Sequence, residues 1–210
     1  MVNVNFPERL IAGYDSFRAN RLPEDSARYR ILADAGQRPQ IMVIACSDSR
    51  AAPETIFDAN PGEIFVVRNV ANLVPPYNPD GHYHGTSAAI EFAVAHLKVR
   101  HIVVMGHGRC GGISAYLDGK ADPGDFIDRW ISLLTPAAES LSDELDEKTR
   151  ERALEFASIR QGIDNLKSFP MIANLASIGE IELHGAWFDI STGELFVLDR
   201  AHGTFEQVGS

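Results

Sequence analysis

Only two cysteines occur in the 210 residues, Cys46 and Cys110. So few cannot staple a small secreted fold, which excludes a disulfide scaffold. Basic residues are scarce as well: 19 Lys and Arg stand against 29 Asp and Glu, a formal net charge of −10. An acidic surface argues against nucleic acid or an anionic membrane as partner. No apolar run approaches the length of a membrane span. Residues 1–10, with Pro7, Glu8 and Arg9, lack the apolar stretch of a signal peptide. Internal repeats and low-complexity tracts are missing too. The expectation is a reduced, cytoplasmic protein with no nucleic-acid or membrane partner, of a length that suits one domain.

What is present is an alternation of buried runs and helical patterns. Gln40–Ala45, Glu63–Val67 and His101–Met105 read as strands, apolar almost throughout. Helical spacing marks Pro7–Asn20, Asp25–Ala35, Pro53–Phe57, Thr86–Leu97, Gly111–Leu117, Asp125–Leu134 and Pro136–Leu145. Lys148–Phe169 reads as a long amphipathic helix stopped by Pro170, and Ile172–Ile178 as a further turn or two. The runs Ile181–Asp189 and Glu194–Asp199 alternate around Ser191-Thr192-Gly193, the mark of a hairpin. The predicted fold is α/β: a central, mostly parallel sheet with an antiparallel edge hairpin, flanked by helices. Residues 1–36 form an N-terminal helical arm in this reading, and residues 37–210 the core of a single domain. The stripe Leu10, Ile11, Tyr14 and Phe17 suits an arm that crosses to a partner chain or one that packs on its own domain.

Both cysteines sit where an apolar run ends, in Cys46-Ser47-Asp48-Ser49-Arg50 and in His107-Gly108-Arg109-Cys110-Gly111-Gly112. Ligands of open α/β sheets bind at the carboxyl ends of strands. Two thiols and an imidazole make three zinc ligands, which leaves a fourth position open as catalytic sites do. Buried apolar thiols are the plainer reading, and spacing alone does not separate the two. Asp48 bears on the fourth position: it either caps the metal or is held off it by a bidentate pair with Arg50. Gly106-His107-Gly108-Arg109-Cys110-Gly111 formally matches a dinucleotide-binding fingerprint, but the helix after it is short. His82, Tyr83 and His84 lie in a long Pro- and Gly-rich loop and are candidates for proton relay.

These two motifs resemble the β-class carbonic anhydrases. So do Phe65-Val66-Val67-Arg68-Asn69-Val70-Ala71-Asn72 and Glu91-Phe92-Ala93-Val94. The likeness is close over residues 37–117 and looser at His184–Asp189. It implies one Zn²⁺ per chain on Cys46, His107 and Cys110, with Asp48 and Arg50 as the catalytic dyad. It further implies reversible hydration of carbon dioxide to bicarbonate by zinc-bound hydroxide. Gln37, Phe65, Val70, Phe92 and Gly111 take the places of substrate-pocket residues, and Gln37 points to the plant-like (type I) subclass. Val43 and Phe188 stand where the other subclass has the Trp and Tyr of a regulatory bicarbonate site, so no such site is expected. The family forms homodimers or larger homo-oligomers with sites at subunit interfaces, so the pocket residues of one chain are candidates to face the metal of another. The rivals are a carbonyl sulfide or carbon disulfide hydrolase on the same scaffold, and a non-catalytic zinc sensor capped by Asp48.

Overall fold

The computed structural model describes residues 5–119 and 126–209. The chain divides into two compact units, residues 1–37 and 38–210. In the first, α1 (Glu8–Ser16) runs through a π-helical stretch (Phe17–Arg21) into α2 (Leu22–Ala35). Helix α2 begins at Leu22, three residues before the predicted start at Asp25, with Pro23 in its first turn. Gly36 at φ 75° ends it. No residue of this unit's helices is buried, and Leu10, Ile11 and Tyr14 are exposed. Phe17 meets Tyr29 edge-on, with ring centroids 6.1 Å apart.

The second unit is built on a six-stranded sheet. Its strands are β1 (Ile41–Cys46), β2 (Ile64–Asn69), β3 (His101–His107), β4 (Glu182–Phe188), β5 (Leu195–Asp199) and β6 (Thr204–Gln207). They lie in the order β2-β1-β3-β4-β5-β6; the first four are parallel, and β5 and β6 are antiparallel. The predicted edge hairpin is β4–β5. Short, polar β6 was not predicted, because Thr204–Gln207 carries one apolar residue, Phe205. The third strand runs two residues beyond Met105, since Gly106 and His107 keep pairing with Trp187 and Phe188.

Alternation in the central strands sorts side chains onto two faces. Met42, Ile44, Ile102 and Val104 enter one buried cluster with Ile159, Ile163 and Leu166, while Val43, Ala45, Met105 and Ala186 form another. The helices follow in order: α3 (Pro53–Ile56), α4 (Gly85–Glu91, continuing as a π-helix to Leu97), α5 (Gly111–Asp118), α6 (Ile127–Ile131), α7 (Thr135–Glu139), α8 (Glu147–Lys167) and α9 (Pro170–Ser177). Of the stretch predicted to begin at Asp125, that residue lies outside the described residues. Thr86 does not cap α4; it lies inside the first turn and accepts from Asn69 Nδ2 at 3.2 Å. The cap of α8 is Asp146, whose carboxylate accepts from Thr149 N at 3.0 Å.

Helix α8 lies on β3 and β4 closely enough to demand glycine beneath it. A Cβ on Gly106 would stand 2.8 Å from Ile159 Cδ1, and one on Gly185 2.9 Å from Ile159 Cγ2. Ile159 itself is wholly buried. Ile159→Ala is expected to cost about 2–5 kcal/mol, read as a lower urea midpoint with an unchanged slope.

Candidate active site

Three chain segments meet at the carboxyl edge of the sheet. Cys46 is the last residue of β1, His107 the last of β3, and Cys110 the residue before α5. Because β1 pairs directly with β3, Ala45 beside Met105, the first two of these are delivered side by side. The link from His107 to Cys110 turns sharply at Arg109, whose φ is +56°. Gly108 lies in the same turn, where a Cβ would stand 3.0 Å from the Trp187 ring. The glycines of the apparent dinucleotide fingerprint thus answer to packing: Gly106 to Ile159 and Gly108 to Trp187.

The donor atoms of Cys46, His107 and Cys110 all lie within 4.8 Å of one another, and all three residues are buried. The sulfurs are 3.9 Å apart, and both cysteines are free thiols. His107 Nδ1 lies 3.0 Å from the Gly108 carbonyl, to which it donates, leaving Nε2 as the unprotonated nitrogen. That Nε2 is buried and has no hydrogen-bond partner among the described residues. An unpartnered imidazole nitrogen aimed at two thiols is the donor set of a soft divalent ion. The hydrogen bond from Cys110 draws the Cys46 thiol well below its ordinary pKa, and the same bond raises Cys110. Burial works against charging His107, but the Cys46 sulfur and the Gly108 carbonyl outweigh it and raise its pKa.

Asp48 stands beside this cluster, its Oδ2 3.9 Å from His107 Nε2. Both of its oxygens are engaged by Arg50. Oδ1 accepts from Arg50 Nε and from Arg50 N, each at 2.9 Å, and Oδ2 accepts from Arg50 Nη2 at 2.7 Å. This bond holds the Asp48 carboxyl far below the usual carboxylate range, so it stays ionised at any ordinary pH. Arg50 also donates to the Arg109 carbonyl at 3.2 Å, tying the two motif loops together. Arg68 fixes the same loop from β2, donating to the carbonyls of Cys46 at 2.8 Å and Asp48 at 2.5 Å.

The remaining sequence-predicted residues are not all gathered here. Gly111 opens α5 directly after Cys110. Val70 follows β2 and approaches α5, where a Cβ on Gly112 would meet Val70 Cγ1 at 2.9 Å. It also lines a cavity of about 580 Å³ shared with Tyr83, His84 and Trp130. Phe65 pairs with Met42, four residues before Cys46, which places it about 13 Å back along the strands. Its ring lies 5.9 Å from that of Phe92, a half-exposed apolar pair away from the cluster of its own chain. Gln37 belongs to the N-terminal unit and is exposed. Of the loop residues, His84 pairs with Asp80 at 2.6 Å, and Tyr83 is fully exposed.

Sequence reasoning overlooked Glu155. This carboxylate of α8 is 3% exposed, and lies under the site. Its Oε1 accepts from Cys110 N at 3.3 Å and its Oε2 from Trp187 Nε1 at 3.0 Å. Burial pushes its pKa up to about 7, against the pull of these two donors. The signal was present: Glu155 precedes Ile159 by four and Ile163 by eight, so it is an acid on the apolar stripe of the helix. Glu155→Ala is expected to cost about 2–5 kcal/mol by leaving two buried N–H groups without an acceptor, measured by urea unfolding. Glu155→Gln, which keeps one amide oxygen as acceptor, should lose less.

Comparison with known proteins gives a consistent picture. A family model described as carbonic anhydrase matches residues 41–195. Beta carbonic anhydrase 5, chloroplastic, of Arabidopsis thaliana is 37% identical over 193 residues, covering 89% of this chain. The chain spans 63% of that relative's length. Among solved structures, the β-carbonic anhydrase CcaA superposes with a TM-score of 0.88 at 28% identity, covering 97% of this chain and 92% of its own. A tetrameric β-carbonic anhydrase of the ascomycete Sordaria macrospora gives 0.76 at 33% identity, covering 97% and 96%.

Proposed function

The chain belongs to the β-carbonic anhydrases, and from that premise we propose that it catalyses the reversible hydration of carbon dioxide to bicarbonate and a proton. The observation that carries the reading is the Asp48–Arg50 pair: a carboxylate ionised and turned toward Arg50, 3.9 Å from the orphan nitrogen of a Cys2His cluster. Cys46, His107 and Cys110 would hold one Zn²⁺. When bound there, the ion supplies Lewis acidity that makes hydroxide available near neutral pH.

The chain's own residues do the rest. Asp48, already a carboxylate, accepts the proton of the attacking oxygen in a hydrogen bond and so aims a lone pair at carbon. Arg50 grips both Asp48 oxygens, which fixes the direction of that acceptor and keeps it from swinging toward the metal ligands. The Gly111 N–H, in the first turn of α5 where helix donors lack intrahelical partners, donates to a substrate oxygen. Phe65, Val70 and Phe92 offer apolar surface for carbon dioxide, and the Gln37 amide a further donor. Since Phe65 and Phe92 lie away from the cluster of their own chain, we assign them to the site of a neighbouring chain. Oligomerisation is supported by the tetrameric relative and by the exposed Leu10, Ile11 and Tyr14 of the N-terminal unit. Two unpaired, buried thiols fit a reducing compartment, for which we propose the cytoplasm. No helix among the described residues is long and apolar enough to cross a membrane.

Stopped-flow carbon dioxide hydration with metal analysis tests the proposal. Zinc-replete protein should be active, and Asp48→Ala should lose about 10²-fold or more in kcat/KM while retaining its zinc. Zinc-replete protein inert toward carbon dioxide would overturn the reading.

A further inference from the structure

A second group of metal-type donors lies at the opposite end of β3, shared with β4. His101 opens β3, and Glu182 and His184 open β4. The parallel register pairs His101 with Glu182 and Val103 with His184, so all three side chains fall on one face of the sheet. One donor atom from each lies within 4.8 Å of the other two. His101 Nδ1 and His184 Nε2 are 3.2 Å apart, and Glu182 Oε2 is 3.8 Å from that same Nε2. His101 is six residues from His107 along β3, about 20 Å, so the two groups are separate.

We infer that His101, Glu182 and His184 form a second, solvent-open binding site for a divalent transition-metal ion, Zn²⁺ above all. Two imidazole nitrogens sharing a tetrahedral zinc at 2.0–2.1 Å stand about 3.3 Å apart; the His pair is already at 3.2 Å. An ion would therefore replace the hydrogen bond between the rings with little movement of either. The set of two imidazoles and one carboxylate is a zinc ligand set that leaves the fourth position to water. Glu182, 56% exposed, turns freely to complete it. Metal binding needs unprotonated imidazole, and His184 is biased that way: burial, then the neighbouring His101 and Arg200, lower its pKa against the opposing pull of Glu182. Of the charged groups that act on His184, Arg200 disfavours a further positive charge and Glu182 favours it. An ion held there would clip β3 to β4 at the end where Glu182 N already donates to the Arg100 carbonyl at 2.8 Å.

The test uses oligomeric protein with its cysteine site already filled, titrated with Zn²⁺ alone against a chromophoric chelator. About one further equivalent per chain is expected for the native protein, and none for His101→Asn or His184→Asn. Carbon dioxide hydration should be equal in all three before the extra zinc is added, which separates this site from the proposed catalytic one. Co²⁺ added to the same zinc-filled protein offers a second readout: the further equivalent should bring weak d–d bands without thiolate charge-transfer absorption, and these should be lost in His184→Asn. A native protein that saturates at one equivalent, or variants that take up the further equivalent unchanged, would overturn the inference.

Discussion

The site depends on the pairing of β1 with β3. Each strand alone ends in one donor, and neither Cys46 nor His107 is placed for anything until the ladder sets Ala45 beside Met105. Parallel pairing then brings both ends to the same edge. A slip of one residue would turn Cys46 to the other face of the sheet. The register is held from both faces, because Met42 and Ile44 are buried on one and Val43 and Ala45 on the other. Little of the sheet's interior can change without moving the ligands.

Around that ladder, three arginine and carboxylate contacts set the loops. Arg68 ties the Cys46 and Asp48 carbonyls to β2, Arg50 ties Asp48 to the Arg109 carbonyl, and Glu155 receives the Cys110 N–H from below. They differ in dielectric setting. The Asp48–Arg50 pair faces solvent, with Arg50 50% exposed, so its importance is direction and charge state more than stability. Glu155 is enclosed, and its two N–H partners make a carboxylate tolerable where burial otherwise favours the neutral acid. Arg68 spends its guanidinium on two backbone carbonyls, so what it does here is hold the loop after β1.

Much of the fold was legible. The central apolar strands, the hairpin and the long helix follow from period and composition, since buried parallel strands cannot be polar and α8 must present one apolar stripe. The misses have local causes. β6 carries too little apolar content to be seen, and it exists because β5 offers an open edge. The last two residues of β3 looked like loop, and pairing with β4 makes them strand. Thr86, expected to start its helix, lies inside the first turn and accepts from Asn69, whose side chain also brackets the Leu73 backbone.

By itself the sequence determined which atoms are available: two thiols, His107, Asp48 with Arg50 two residues on, each at the end of a buried run. Short-range spacing suffices for that, because Asp48–Arg50 and His107–Cys110 are local contacts. The tertiary structure alone decided what meets across distance. It brought Cys46 to Cys110 over 64 residues, raised Glu155 beneath them, held Phe65 and Phe92 away from their own chain's cluster, and set His101 against His184. These are consequences of strand order and register, which depend on the packing of both sheet faces at once and cannot be read from any one segment.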